Sequence, residues 1–429
     1  MGQAQGSNSR CAILTETTWG TVASANATTR KALVIPFVTE GMAYSRGLVE
    51  DPTITSARDF LKSGRGEVDS AGDVNVRMNY NAHGELLRHA LGGYTVFEVH
   101  EITVGVGEAA TFTAGLAVSG AGTSAGATGI IRSIDTANAK LYVVVTAGTF
   151  ADLGTLTDTS TGSGTQTGAS VQVAYAHRYR IGDPSDMIGF TFEKMFKFST
   201  TSYAFHQYPG CRVNQWSLNM ASSGLVEATF GLIGKTEVNP VPTGTTAYDA
   251  SSLANGASAN IDDLDHVAFD NFDIQILTEA GSSAVGMATE LTFQLSNNLD
   301  GGVRAIGGQG ARADLPVGKA KVSGNFGARF SDLTMYNKAL DHTDSSLRCI
   351  LDKSGSAWGG YGQSGGEVMD IYLPNLVFTP QAPAVDGPQG ITISLDYEAF
   401  YTPGQAETTM EVWLLNQIAD YSAVYGGAE

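Results

Sequence analysis

Basic residues are scarce in this chain of 429 residues: 25 lysines and arginines stand against 43 aspartates and glutamates, a formal net charge of −18. A protein that grips a phosphate backbone needs cations to displace counterions, so this balance argues against a nucleic-acid reader. Only three cysteines occur, Cys11, Cys211 and Cys349, far apart in the chain. None lies at metal-ligand spacing, and neither a zinc site nor a disulfide framework is expected. Prolines number 12 and glycines 52, a balance that favours strands and tight turns over proline-rich linkers. Long apolar runs are lacking as well. The longest, ALVIPFV at 32–38, has strand length and falls far short of a membrane span. The opening MGQAQGSNSR has no apolar stretch behind its positive charge, and Gly6 stands where a myristoylation signal needs Ser or Thr. A soluble protein without membrane contact is the expectation.

Reactive constellations are equally thin. No nucleophile elbow, Walker loop or zinc-protease helix is present, and GVGEAA near 105 reads as turn glycines. His83 and His89 lie six residues apart and are expected to face different ways, with one of them on the surface. The acids Asp262, Asp263, Asp265, Asp270 and Asp273 lack the spacing of a calcium loop and read as loop acids ahead of a strand. Tyr203, Phe205 and Tyr208 could stack against bases or sugars, but core and subunit contacts explain them more simply. No catalytic, cofactor-binding or metal residue is assigned. A long chain of ordered sheet without reactive groups reads as architecture, not as an enzyme.

What the chain does carry is sheet. In PGCRVNQWSLNMASSGLVEATFGLIGKTE, residues 209–237, Trp216, Leu218 and Met220 alternate with Ser217 and Asn219. After ASSG, the residues Val226, Ala228, Phe230 and Leu232 alternate with polar ones. Period-two alternation predicts a hairpin with one buried and one wet face. A helix is predicted at AHGELLRHAL, with Asn81 as cap and Gly92-Gly93 as its stop.

Composition divides the chain into an irregular arm at 1–30, a β domain at 31–240, a linker at 241–264 and a second β domain at 265–429. Residues 101–175 contain no His, Cys, Pro or Trp and only two basic residues. They read as a small β-module inserted into the first domain. Internal repetition appears too. GEVDSAGDVNVRM (66–78) and GKAKVSGNFGARF (318–330) share Gly66/Gly318, Gly72/Gly324 and Arg77/Arg329, and a helix-like stretch follows each. A duplicated sandwich with one helix per copy is expected.

Four stretches in order, GEVDSAGDVNVRMNYNAHGELLRHALG, FTFEKMF…YPGCRVNQWSLNMASSGLVEATFGLIGKTE, LTFQLSNNLDGG…GKAKVSGNFGARFSDLTMYNKAL and IYLPNLVFTPQAPAVDGPQGITISLDYEAFY, resemble the tail tube (major tail) proteins of long-tailed, siphovirus-like bacteriophages. The likeness spans most of residues 30–405. It implies a mainly β fold of tandem sandwich or barrel units, each with a flanking helix. It further implies rings that stack into a tube conducting genomic DNA from capsid to host for ejection. Six single units fill a ring by this resemblance, so a chain with two fused copies would form a homotrimeric, pseudo-hexameric ring, with a homohexamer as second choice.

The implied partners are the chain itself and the tape measure, initiator and terminator proteins of the tail. DNA passes without specific binding, and no cofactor is involved. The expected location is the virion tail, after synthesis in the bacterial cytoplasm. Tyr44 and Phe60, in a long loop at 39–65, are candidate inter-subunit contacts. Asp69, Asp73, Glu193 and Glu227 are candidate acids of the lumen. The 101–175 module is expected to project outward. The alternative is a virion decoration or glycan-binding β-protein that stays discrete.

Overall fold

The computed structural model describes residues 6–426 other than 27, 29, 55–58, 60, 200–201, 239–250, 255, 265–267, 272–273, 279–282, 285–287, 330–332, 353–366, 384–389 and 405–407. The fold is mainly β.

One pairing order occurs twice. In the first unit Arg10–Thr15 pairs with Phe190–Ser199, which pairs with the front half of the long strand Ser202–Ala221. The back half of that strand passes into a second sheet and pairs with Glu227–Ile233. Gly64–Arg77 and then Ala43–Val49 complete that sheet. The second unit follows the same path through Ile274–Thr278, Ser345–Asp352, Val368–Phe378, Thr392–Ala399, Lys321–Arg329 and Ala288–Ser296. The second sheets of the two units join into one continuous sheet, the wall sheet, and a helix follows its third strand in each unit, Gly84–Leu91 in the first and Thr334–Leu340 in the second.

Register fixes the correspondence between the units. Leu232 stands opposite both Gly72 and Val213; Tyr397 stands opposite both Gly324 and Phe378. Gly72 and Gly324 are thus equivalent, with the spacing of the Gly66/Gly318 pair, and so are Val213 and Phe378.

Alternation dictates the core. Trp216, Leu218, Met220, Phe230 and Leu232 are buried together with Phe293, Leu295, Phe326, Leu395 and Tyr397 in one cluster serving both units. Each such side chain contributes about 1.5–3 kcal/mol on leaving water. Gly224, at φ +89°, closes the hairpin between Ala221 and Glu227, a backbone angle that costs glycine nothing.

The helix Gly84–Leu91 is buried along its whole length. A Cβ on Gly84 would lie 2.2 Å from the Tyr421 ring, so glycine here admits the C-terminal segment. Asn79, and not Asn81, caps the preceding turn: its Oδ1 accepts from the backbone N–H groups of Asn81 and Ala82 at 2.7 and 2.9 Å. Both histidines are buried, contrary to the surface position expected for one of them. His83 accepts from the Asn79 amide at 3.0 Å, and His89 lies 3.0 Å from the Thr15 hydroxyl and from the Ile188 carbonyl. The strands Ser202–Ala221, Gly92–Thr103 and Val171–Ile181 pack against the helix, and Tyr421 closes over its start.

Three further expectations are corrected. Arg10–Thr15 is no irregular arm but a buried strand between Ala32–Ile35 and Phe190–Ser199. The loop placed at 39–65 begins as sheet, since Thr39–Glu40 and Ala43–Val49 both pair with Gly64–Arg77. Within the linker, Leu253 and Ala254 are buried and Ile261–Asp262 pairs with Ala32–Leu33.

Residues 99–166 form a closed small barrel with its own core of Ile102, Val118, Ile131, Leu141, Phe150 and Leu156. Its strands pair around the circle: Gly92–Thr103 with Lys140–Ala147, then Thr128–Asp135, Ala117–Ala121, Thr155–Asp158 and Ser163–Thr165. A bridge from Gln166 to Val104 closes it. The barrel stands on two long strands, Gly92–Thr103 and Val171–Ile181, which join the second unit's outer sheet through Glu411–Asn416.

Candidate functional site: a polar sheet face between two open edges

Opposite the core, the wall sheet presents a polar face running through both units. The register gives rows that cross it. One row reads Thr39, Asn75, Thr229, Ser217, Gln294, Ser323 and Glu398. The next reads Arg77, Glu227, Asn219, Thr292, Asn325 and Asp396. Side chains within the rows bond to one another: Thr229 donates to Asn75 Oδ1 at 2.7 Å, and Asn325 donates to Asp396 Oδ1 at 2.8 Å.

The face is more neutral than the overall charge suggests. Its acids are Asp69, Asp73, Glu227, Glu290, Asp396 and Glu398; its bases are Arg77, Lys321 and Arg329. Six against three leaves −3 of the chain's −18. Arg77 pairs with Glu227 across adjacent strands, and Lys321 pairs with Glu398 at 2.8 Å.

Three of the four acids singled out from the sequence share this face. Asp69 bonds Arg312 at one margin, Asp73 lies opposite Gly231, and Glu227 is paired as above. Glu193 does not belong with them. It is buried in the other sheet, where it accepts from Gln207 at 2.9 Å and from the Leu253 amide at 2.6 Å and pairs with Arg10 at 3.1 Å. Burial raises its carboxyl above the usual range, with Gln207 and Arg10 pulling the other way. Tyr44 sits on the core side of its edge strand and packs half-buried against the main cluster. Phe60 lies outside the described residues.

The units meet edge to edge. The back half of Ser202–Ala221 pairs with Ala288–Ser296 over seven residue pairs, from Gln215 opposite Ser296 to Ala221 opposite Glu290. The loop after Ser296 then crosses the first unit. Leu299 N–H donates to Asn214 Oδ1 at 2.9 Å, Arg212 donates to the Leu315 carbonyl, and Arg312 donates to the carbonyls of Ser70 and Gly234 at 3.1 and 2.6 Å. Sequence reading missed this loop, although AR-x-x-L at 311–315 repeats at 57–61.

At the two ends of the sheet the edges remain open among the described residues. Ala43–Val49 pairs only with Gly64–Arg77. Beyond Leu376, Val377 and Phe378 pair only with Thr392–Ala399. An unpaired edge presents a row of backbone donors and acceptors ready for another strand.

The polar face thus lies between two open edges, and every cysteine is buried with its thiol pushed up by burial. The model of the phage tail tube protein family matches residues 6–399, and the chain belongs to that family. It is thus a structural component of a virion tail that self-assembles into a tube and associates with other tail proteins, and not an enzyme. No curated protein matches it significantly.

Proposed function

We propose that three chains close into a pseudo-hexameric ring whose polar faces line the lumen, and that such rings stack into the conduit for genomic DNA. The observation that carries this reading is the joint between Ser202–Ala221 and Ala288–Ser296, which makes two like units a single stretch of wall. Each unit supplies four wall strands, so three chains supply 24. At about 4.8 Å between strands and a tilt of about 40°, 24 strands give a backbone diameter of roughly 48 Å. After side chains are allowed for, that leaves room for a DNA duplex.

The lining suits passage. Ser, Thr, Asn and Gln offer polar contact without a cationic row, and a slight acidic excess gives phosphates no counterion-release gain that would trap them. Tape measure protein within the lumen, and initiator and terminator proteins at the ends, complete the tail of a siphovirus-like particle assembled in the host cytoplasm. The barrel on its two-stranded stalk projects outward, since a folded body of its size would block the channel.

Electron microscopy of the purified chain at high concentration tests the proposal. Hollow stacked rings with threefold symmetry are expected. True sixfold rings of six chains would reject the trimer, and discrete oligomers that never stack would reject the conduit.

A further inference from the structure

The second unit's loop and edge strand are already docked on a neighbour, the first unit; among the described residues their counterparts in the first unit have no such strand partner, Arg46 reaching only the Gln309 carbonyl of the second unit's loop. Tyr44 stands opposite Ser70 as Leu295 stands opposite Val322, so the two are equivalent. Leu48 and Leu299 follow four residues later in each, and Leu61 and Leu315 end the two AR-x-x-L stretches. Exposure separates each pair. Leu315 is 0% exposed and Leu61 40%; Leu299 is half-buried and Leu48 is 76% exposed.

The receiving side shows the same contrast. Trp216 and its neighbours, which take up Leu295, are buried or half-buried, whereas the stretch after Phe378, the counterpart of Val213, is exposed from Thr379 to Ala382. Pro380 and Pro383 lie on that edge and remove two backbone donors, so a joint there carries fewer ladder bonds than the one inside the chain and leans more on side-chain contact.

We propose that the chain-to-chain joint reproduces the joint inside the chain: the edge strand Ala43–Val49, with Leu48 and Leu61, seats on residues 377–383 of a second copy. The proposal rests on the ring reading above and names the surface that closes the ring. The occupant is a second copy because the partner surface already seen by Leu299 and Leu315 is a unit of this same fold. An apolar side chain left exposed at a position buried in its equivalent marks a contact still to be made. Counting three residues on from Phe378 as Trp216 lies three on from Val213, the bulge between Val213 and Gln215 carried over, Tyr44 then meets Gln381 of the neighbour, as Leu295 meets Trp216.

Two changes to the full-length chain test it. The double variant Leu48→Asp/Leu61→Asp alters exposed side chains and is expected to fold with an unchanged circular dichroism spectrum. It should form tubes with at least roughly tenfold lower yield than wild type, as loss of contacts at an interface centre predicts. In Tyr44→Cys/Gln381→Cys, with the native thiols all buried, oxidation of assembled material should give covalent dimers and closed trimers on a denaturing gel. Normal tube yield from the first variant, or rings of the second that fail to cross-link between chains, would overturn this joint while leaving the tube reading intact. Failure of the wild type to form rings under any condition would overturn both.

Discussion

Trp216 in the first unit stands directly opposite Leu295 in the second, on adjacent antiparallel strands, and both are buried in the core shared by the two units. Trp216 also stacks on Phe230 with ring centroids 6.3 Å apart. Replacing it with alanine removes the central wedge between the units, at a cost of about 3–5 kcal/mol. Chemical denaturation of Trp216→Ala should show a lower midpoint. A transition that splits in two would reveal that the units can unfold separately.

His177 sets an acid limit on stability. It is buried, with the Tyr94 hydroxyl at 2.9 Å and Asn416 Oδ1 at 3.0 Å, and burial lowers its pKa to about 4. An unfolded chain takes up this proton near pH 6.5, whereas the folded chain resists it until about pH 4, so folding loses stability as the pH falls between those values. The full effect is on the order of 3 kcal/mol. His177→Gln keeps a donor for Asn416 but cannot titrate. Its unfolding free energy, measured from pH 7 to pH 4, should decline less steeply than that of wild type; equal slopes would assign the acid sensitivity elsewhere.

The barrel should be dispensable for the wall. Thr167 N–H donates to the Thr103 carbonyl at 2.8 Å, so the chain enters and leaves the module at one point. Replacing residues 104–166 with Asn-Gly, a turn suited to joining antiparallel strands, should give tubes of smaller outer diameter with the same lumen. Loss of Tyr142 and Val144 from the neighbouring apolar cluster should lower the melting midpoint by a few degrees. Failure of this variant to polymerise would give the barrel a part in assembly.

Charge on the polar face should govern DNA retention. Asp73→Lys with Asp396→Lys moves the face from −3 to +1 per chain. Tubes of this variant should hold DNA at about 50 mM salt and release it by about 200 mM, while wild-type tubes hold none. Anisotropy of a labelled duplex reads the difference. Equal retention by both would place these residues away from the DNA path.

The hairpin at 209–237 was legible because strict alternation leaves only one way to bury Trp216, Leu218 and Phe230. Arg10–Thr15 was not legible: six residues in a small, polar neighbourhood become a strand through partners at 33–35 and near 190. Glu193 misled for a related reason. Its alternation with Phe190 and Phe192 does place it on the opposite side of the strand. That side, however, is covered by Arg10 and the segment at 251–253, which no local pattern announces. The acids on the shared face were readable as outward residues, whereas their pairing with Arg77 and Arg312 depends on register between distant strands. The surface position expected for one of His83 and His89 failed because Thr15, Pro36 and Ile188, which cover them, come from elsewhere in the chain.

Because the small barrel closes on itself, its attachment behaves like a socket. Along the chain it hangs on two neighbouring strand ends at Thr103 and Thr167, about 4.8 Å apart as in any sheet, while Arg132, Tyr142 and Val144 rest against Trp413 and its neighbours in the second unit. The barrel offers no edge of its own to compete with the open edges of the other sheet. A compact domain whose termini lie side by side and which covers the apolar patch around Trp413 could be spliced into the same place. With the barrel projecting outward, as proposed, the outer surface of such a particle is free to diversify quickly, under selection from whatever it meets, while the strand-pairing rules of the interior stay fixed.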